Sequence, residues 1–379
     1  MAPIALAFAV LDLTDSRSDL GLVLAARTVP QVLFLLLGGV FADRLPRHRM
    51  MVLSSLLSGA SQSLLAVLLI EHQAAIWQLV ALAAANGTAS AFFFPASSGI
   101  LPQVVDPLQI QQANALLRLS LNAVWIGGAA TGGAVVAAFG PGWAVAADAA
   151  SFFLGAFFIG LMRLPAGLRM EGSSLVRELR EGWDAFRSRT WLWVAVAQLS
   201  IVNAAQISAF NVLGPAVAKS DLGGAAAWGA IVTCETAGLL LGGLVMLRSR
   251  PRRLLLVGNL GFLLVVLPLV LLAFPAPTAA IAAGTVIAGL GIETFSVMWD
   301  TSMQQNVPQE TLSRVYAYDA LGSFALIPVA QASIGPVSEA IGTRATLLGA
   351  AALVGLTTLA VLAVADVRNL RRREAPATA

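Results

Sequence analysis

Long apolar runs, separated by short polar segments, dominate the chain. Six runs precede a polar segment at 163–189 and six follow it. They cover residues 1–14, 20–41, 50–70, 76–99, 111–138, 143–162, 190–213, 224–247, 254–273, 278–300, 312–338 and 344–365. Runs of about 20 apolar residues cross a bilayer as helices, whereas barrel strands have about 10 residues of alternating polarity. The pattern therefore predicts an all-α membrane protein with twelve transmembrane helices.

The first run differs from the others in its length. Residues 1–14 would form a helix of about 21 Å at a rise of about 1.5 Å per residue. The hydrocarbon core of a bilayer is about 30 Å thick. We therefore expect this first helix to be truncated here and the native one to begin upstream.

An internal repeat organises the chain. Gly38–Arg49 reads GGVFADRLPRHR, and Gly242–Arg253 reads GGLVMLRSRPRR, each between the second and third run of its half. Repeated halves are typical of secondary transporters. We therefore predict four segments: an N-terminal six-helix bundle (1–162), a linker (163–189), a C-terminal six-helix bundle (190–367) and a tail (368–379).

The linker combines one apolar stripe with a charged face. Leu175, Leu179 and Phe186 lie on the stripe. This pattern is typical of an amphipathic helix on the membrane surface, although a plain connecting helix fits it equally well.

Composition and charge support a membrane location. Hydrophobic residues make up 58% of the chain and charged residues 11%, against about 25% charged in soluble domains. If the loop at 43–49 is cytoplasmic, 18 of the 23 Lys and Arg residues fall on that side. The positive-inside rule then predicts a multi-pass protein of the cell membrane with both termini in the cytoplasm. The dominance of Arg over Lys, with abundant Ala and Gly, suggests a bacterial source.

The sequence lacks residue patterns for metal binding, disulfide formation, nucleotide binding and enzymatic catalysis. The two histidines, His48 and His72, lie in different loops, and Cys234 has no second cysteine to pair with. There is no GxxxxGK[ST] phosphate loop, and no nucleophile–base pair is evident. We therefore expect no metal, no cofactor, no nucleic-acid partner and no enzymatic activity.

The first basic loop resembles the signature loop of the major facilitator superfamily. Gly39 is followed after three residues by Asp43-Arg44 and then by Arg47, although Pro46 stands where that pattern usually has Gly. Further segments resemble the branch that includes siderophore exporters and macrolide-efflux proteins. They are LAARTVP (24–30), AFFFPASSGILPQVV (91–105), QANAL (112–116), DAASF (148–152) and QQNVPQETLSRV (304–315).

This resemblance implies the major facilitator fold, with two six-helix bundles, and an exporter driven by protons. Two features of drug antiporters are absent. The fifth-helix glycine motif lacks its proline at Gly128–Gly133, and no Arg lies near Asn86 in the fourth helix.

The signature loop is a candidate gate. Asp43 can bind at a helix end, and Arg44 and Arg47 can reach acids of the opposing bundle, so that the contacts form in one state and break in the other. We therefore predict a gating loop of Gly39, Asp43, Arg44 and Arg47. For the arginines, simple anchoring at the membrane surface is the alternative.

Acidic residues inside apolar runs are candidates for proton binding, because an unpaired charge in mid-membrane costs about 2.5–3.5 kcal/mol or more. Glu293 and Asp300 are seven residues apart and share a helix face, and Glu235 lies in the middle of its run. We predict these three as proton-coupling residues. The alternative for each is a buried, hydrogen-bonded acid with a structural role.

Other polar and aromatic residues in the runs are candidates to line a substrate cavity. They are Arg27, Asn86, Arg118, Asn203, Gln206 and Trp299. Arg27 and Arg118 could instead form ion pairs with Asp12, Asp148 or Asp319. The amides could instead join helices, and Trp299 could pack in the core.

The sequence thus predicts a secondary transporter, monomeric in the bilayer, that exports small amphipathic molecules of the drug or macrolide kind in exchange for protons. Two alternatives stay open. One is an exporter of a single siderophore or metabolite, and the other is a membrane scaffold or receptor that does not transport.

Overall fold

The computed structural model describes residues 2–44, 46–98, 110–162, 175–249, 251–274 and 276–372. These residues are almost entirely helical, and the extended backbone among them is one isolated bridge between Arg253 and Arg371.

The first half of the sequence forms six helices. They are α1 (Ala2–Thr14), α2 (Arg17–Arg44), α3 (Arg47–Ile70), α4 (Ile76–Ser98), α5 (Ile110–Phe139) and α6 (Pro141–Gly160). The turn between α5 and α6 follows from its residues. Gly140 adopts φ +86°, which side chains disfavour, and Pro141 then starts α6, where its missing N–H costs nothing.

The second half begins with a short polar helix and continues with long apolar ones. They are α7 (Leu175–Arg187), α8 (Thr190–Leu222), α9 (Ala225–Arg248), α10 (Leu254–Ala273), α11 (Thr278–Asn306), α12 (Gln309–Phe324), α13 (Ile327–Ile341), α14 (Thr343–Ala363) and α15 (Ala365–Arg368). Helices α12 and α13 belong to a single apolar span, Arg314–Ile341.

The helices confirm the predicted all-α membrane fold. Among the described residues, each apolar run falls largely within one helix, except the run at 312–338, which covers α12 and α13. Within the described ranges, nine helices are long and apolar enough to cross a membrane. Helix α1 has 13 residues and is one of two shorter apolar helices in the described chain.

Helix α8 is not a regular α-helix along its whole length. Its hydrogen bonding becomes π-helical at Ala209–Leu213 and again at Ala218–Leu222. Pro215 lies between the two segments and cannot donate a backbone hydrogen bond to the preceding turn. The second π-helical segment carries Lys219, the only lysine of the sequence.

Contacts divide the chain into two compact units. Unit 1 comprises Met1–Glu171, Asn211–Thr233 and Pro328–Ala340. Unit 2 comprises Gly172–Phe210, Cys234–Ile327 and Ile341–Ala379. Unit 1 thus contains the six helices of the first half together with short segments of α8, α9 and α13. The domain boundaries inferred from the repeat stay a prediction.

Unit 1 is held together by close helix pairs and a buried polar strip. A Cβ atom at Gly87 of α4 would overlap the backbone carbonyl of Arg27 in α2, so only glycine permits this approach. The strip runs along α3. It consists of Ser54, Ser55, Ser58, Ser61 and Gln62, all at most 8% exposed.

Unit 2 is held together by aromatic stacking and a buried hydrogen-bonded triad. Phe262 of α10 stacks on Phe295 of α11 with ring centroids 4.7 Å apart. Nε2 of Gln198 in α8 donates to Oδ1 of Asn259 in α10 at 2.6 Å and to Oγ1 of Thr358 in α14 at 3.2 Å. The triad thus links three helices through polar groups that would be costly to bury alone.

The linker helix α7 packs against α12 within unit 2. Its Trp183 stacks on Phe186, and the ring of Tyr318 in α12 lies 5.4 Å from Trp183 and 6.1 Å from Phe186. Glu181 forms an ion pair of 2.6 Å with Arg314 of α12. Part of the stripe seen in the sequence is therefore covered by protein.

We expect Gly289→Ala to destabilise unit 2, because its Cβ would overlap the carbonyl oxygen of Glu235 in α9. Overpacking of this kind costs about 1–3 kcal/mol. Gly349→Ala is the matched control, since a Cβ there meets no atom within 4 Å. In thermal unfolding of the detergent-purified protein, the first variant should melt lower than the parent and the second no lower. Equal melting of the two variants would contradict the close approach of α9 and α11.

Candidate functional site

The end of unit 1 near residue 15 carries a set of polar contacts between α1 and α8. Nζ of Lys219 lies 3.2 Å from Oδ1 of Asp12 and 3.2 Å from Oδ1 of Asp15, and it donates a hydrogen bond to the carbonyl oxygen of Leu11. Lys219 thereby compensates two acids at the end of α1 and adds a second hydrogen bond to the Leu11 carbonyl, which also accepts one from the N–H of Asp15.

A second set of contacts at this end joins α13 to the start of α2. The backbone N–H of Ser18 donates to Oε1 of Glu339 at 3.1 Å, and the Ser18 hydroxyl donates to Oε2 at 2.7 Å. A carboxylate at a helix N-terminus is also favoured by the helix dipole. We call Asp12, Asp15, Ser18, Lys219 and Glu339 together the clasp.

Tight helix packing lies directly beneath the clasp. A Cβ at Gly335 of α13 would overlap the backbone of Arg17 and Ser18, and one at Gly21 of α2 would overlap the carbonyl of Gln331. The hydroxyl of Thr28 donates to Oε1 of Gln331 at 2.8 Å. Segments from the two halves of the sequence therefore meet at this end with almost no space between their backbones.

The ion pairs of the clasp contribute little energy. The side chains of Lys219, Asp12 and Asp15 are 31%, 52% and 87% exposed. Exposed ion pairs contribute about 0.2–1 kcal/mol each. Such contacts can form and break without a large barrier, as a reversible gate requires.

A hydrogen-bonded polar network lies in unit 2 and joins α11, α12 and α8. Nε1 of Trp299 donates to Oδ2 of Asp319 at 2.9 Å, and the hydroxyl of Ser323 donates to Oδ1 at 3.0 Å. Nδ2 of Asn203 donates to the carbonyl oxygen of Ser323 at 3.1 Å. Both oxygens of Asp319 therefore accept hydrogen bonds.

Asp300 belongs to the same region of unit 2. The hydroxyl of Tyr316 donates to Oδ1 of Asp300 at 3.2 Å, and the carboxylates of Asp300 and Asp319 interact electrostatically. Trp299, 6% exposed, packs edge-on against Trp191 and parallel to Phe295. The structure thus brings together Asp300, Trp299 and Asn203 from the sequence candidates.

Glu293 and Glu235 lie on α11 and α9, two helices that approach each other closely in unit 2. A Cβ at Gly242 of α9 would lie 2.8 Å from Cβ of Glu293, and one at Gly243 would lie 3.8 Å from its Oε1. Glu235 is half-buried on α9. Within the described ranges, its carboxyl group has no hydrogen bond or ion pair. Gly242 and Gly243, the glycines of the second signature copy, therefore lie against the candidate proton carrier Glu293.

Arg27 and Asn86 lie inside unit 1 and not in the unit 2 network. Together with Leu6, Ser61 and Gln62 they line a small cavity between α1, α2, α3 and α4. Within the described chain, Nε of Arg27, Oε1 of Gln62 and Nδ2 of Asn86 are buried without a hydrogen-bond partner. Asp148 of α6 attracts the Arg27 guanidinium electrostatically, but within the described chain the two side chains form no ion pair.

The remaining candidates are placed on the backbone only or lie apart. Gly39, Asp43 and Arg44 are in the last turns of α2, Arg47 begins α3 and Arg118 is in α5, but their side chains are outside the described residues. Gln206 is half-buried on α8, one turn from Asn203.

Sequence reasoning did not assign a site role to Asp319, Tyr316, Lys219 or Glu339. A signal for the first two was present, because Tyr316, Asp319 and Ser323 recur at spacings of three and four and so share a helix face. No comparable signal marks the clasp, because each of its contacts joins residues more than 200 positions apart in the sequence.

The comparison with known families decides the class of this protein. The family model described as Major Facilitator Superfamily matches residues 1–327. The chain belongs to the major facilitator superfamily. It is therefore a multi-pass membrane transporter with a small-molecule substrate, and not an enzyme.

Two bacterial transport proteins are similar to this chain over most of their length. The uncharacterized MFS-type transporter YfiS of Bacillus subtilis (strain 168) is 25% identical over 390 residues, covering 96% of this chain and 89% of that protein. The multidrug efflux pump Tap of Mycolicibacterium fortuitum is 26% identical over 361 residues, covering 91% and 87%.

Solved structures of the superfamily share the fold. The nucleoside transporter NupG has a TM-score of 0.74 at 13% identity, covering 96% of this chain and 94% of that one. An inward-facing bacterial homolog of the human lysosomal transporter Spinster has a TM-score of 0.73 at 16% identity, covering 99% and 96%. These likenesses confirm the major facilitator fold.

We expect Glu339→Ala to loosen the first turn of α2, because Ser18 loses both of its hydrogen-bond acceptors on α13. Hydrogen bonds to a charged group contribute about 1.5–3 kcal/mol. Amide hydrogen exchange at residues 18–20 should accelerate about tenfold or more. The control is Glu71→Ala, an exposed acid after α3 that should leave this exchange unchanged. Unchanged exchange in Glu339→Ala would exclude the clasp.

Proposed function

We propose that the protein exports small amphipathic organic molecules across the bacterial cell membrane in exchange for protons, acting as a monomer with both termini in the cytoplasm. The similarity to a multidrug efflux pump supports the substrate class, and the distribution of arginines supports the orientation.

The observation that carries this proposal is the group of carboxylates within the apolar helices of unit 2. Glu235, Glu293, Asp300 and Asp319 lie on α9, α11 and α12, each within a helix long and apolar enough to span a membrane. No Lys or Arg of the described residues forms an ion pair with Glu235, Asp300 or Asp319. Binding and release of protons is the direct way to remove and restore such charges.

Asp319 connects protonation to the position of an aromatic side chain. The indole N–H of Trp299 can only donate, so it stabilises an ionised Oδ2 of Asp319 and conflicts with a proton on that oxygen. Proton binding there weakens the Trp299 contact. A ring freed in this way presents both an apolar face and an N–H group, which suits an amphipathic substrate.

The clasp supplies one of the two gates of an alternating-access cycle in this proposal. With the proposed orientation, the clasp lies at the outer end and the signature loop at the inner end. Opening the outer end separates Lys219 from Asp12 and Asp15, which is possible because these exposed pairs are weak. The inner end would then be held by Asp43, Arg44 and Arg47.

The test uses everted membrane vesicles energised with a respiratory substrate and containing a pH-sensitive dye. Lipophilic cations, macrolides and catecholate siderophores are added one at a time. We expect the first two classes to cause dye recovery in vesicles with the wild-type protein. Recovery with the siderophores alone would favour a narrow exporter, and binding of a compound without any flux would favour a receptor.

Substitutions in the carboxylates test the proton step itself. We expect Glu235→Gln, Glu293→Gln or Asp319→Asn to reduce dye recovery at least about tenfold, because each removes a group that can exchange a proton. Asp366→Asn is the control, since this exposed acid lies outside the apolar spans and should change nothing. Full recovery in all three variants would exclude these residues as proton carriers.

Trp299 both packs as an aromatic ring and donates a hydrogen bond to Asp319, and one substitution separates these two roles. Trp299→Phe keeps an aromatic ring but removes the N–H that binds Asp319. We expect substrate binding, measured by tryptophan quenching or equilibrium dialysis, to change less than about threefold, while proton exchange per substrate falls severalfold. Trp193→Phe on the exposed surface of α8 is the control. Loss of both properties to the same extent would show that Trp299 acts only through packing.

A further inference from the structure

Two arginine runs far apart in the sequence meet at one end of unit 2. The chain before α10 and the chain after α15 form an antiparallel bridge between Arg253 and Arg371. The N–H of Leu254 donates to the carbonyl of Leu370 at 3.1 Å, and the N–H of Arg372 donates to the carbonyl of Arg252 at 2.9 Å. The bridge fixes the backbone of both runs side by side.

The bridge and its neighbours concentrate positive charge. We call the set the arginine patch, and it consists of Arg248, Arg252, Arg253, Arg368, Arg371 and Arg372. All except Arg372 are exposed. In the described ranges none of the six forms an ion pair, and Nε of Arg372 is buried without an acceptor.

The surrounding sequence offers little negative charge to balance the patch. Residues 236–292 contain no Asp or Glu, and residues 340–379 contain two acids, Asp366 and Glu374, against five arginines. Holding like charges together is unfavourable unless an external anion compensates them. Membrane topology alone does not require a fixed bridge, because the positive-inside rule depends on the charge of a loop and not on its conformation.

The position of the arginine patch indicates which external anion compensates its charge. Helices α9, α10 and α14 are apolar spans whose ends adjoin the patch, so it lies where a span meets the membrane surface. The planar guanidinium group binds phosphate through paired hydrogen bonds. Beside Arg248, Leu244 and Leu247 are 57% and 79% exposed, which suits contact with acyl chains.

We propose that the arginine patch is a binding site for the phosphate of anionic phospholipids, with the acyl chains lying along the exposed leucines of α9. The apolar strip beside the guanidinium groups distinguishes this ligand from a free phosphate ion. The site lies on unit 2 and shares no residue with the polar network of Trp299, Asp300 and Asp319, and the proposal does not depend on proton-coupled export.

The test measures lipid binding to the full-length protein by native mass spectrometry and in nanodiscs of phosphatidylglycerol or phosphatidylcholine. We expect the wild-type protein to retain phosphatidylglycerol preferentially, and this preference to fall steeply with added salt. Arg253→Gln/Arg371→Gln should weaken phosphatidylglycerol binding about tenfold or more, since each arginine near the surface contributes to attraction of anionic lipid.

Two further variants serve as controls, one for arginines elsewhere on the chain and one for the loss of charge. Arg180→Gln/Arg187→Gln removes two exposed arginines from α7 and should leave lipid binding unchanged. Arg253→Lys/Arg371→Lys keeps both charges and should retain most of it, whether or not the glutamine variant folds. Equal binding of the two lipids by the wild-type protein would overturn the proposal. So would an equal loss in the α7 variant, or displacement of the lipid by millimolar inorganic phosphate.

Discussion

The free energy required to keep a polar or charged group in hydrocarbon is the constraint on which this structure depends. It explains why the described spans are helices, whose backbone groups bond to one another. It also explains where polar side chains lie. Gln198 donates hydrogen bonds to Asn259 and Thr358 in the core of unit 2, and Asp319 accepts two hydrogen bonds from its neighbours.

The same constraint separates residues with a structural role from those suited to function. The amide and hydroxyl groups of the Gln198 triad carry no charge, so proton binding does not act on them during a cycle. Glu235, without a partner in the described chain, and the adjacent carboxylates of Asp300 and Asp319 are different, because their charge is incompletely compensated. Groups of this kind respond to proton binding, and they lie on helices that glycine packs closely together.

Much of the fold follows from the sequence, because the length and hydropathy of a run are sufficient to identify a membrane helix. The repeat and the signature loop likewise pointed to the superfamily. Spatial pairing could not be obtained in this way. Of the cavity candidates, Arg27 and Asn86 line a small cavity in unit 1, whereas Trp299 and Asn203 belong to the network of unit 2. The roles of Lys219 and Glu339 depend on the contact of α8 with α1 and of α13 with α2, which residue spacing does not predict.

The irregular segments of two helices coincide with the limits of the compact units. Helix α8 passes from unit 2 to unit 1 at Phe210–Asn211, within its first π-helical segment. The span of α12 and α13 does so at Ile327–Pro328, directly after its interruption. Regular helices resist bending through an unbroken hydrogen-bond ladder, and this ladder is already interrupted at both points. At these two positions a change in helix direction requires fewer backbone hydrogen bonds to break than it would in a regular helix.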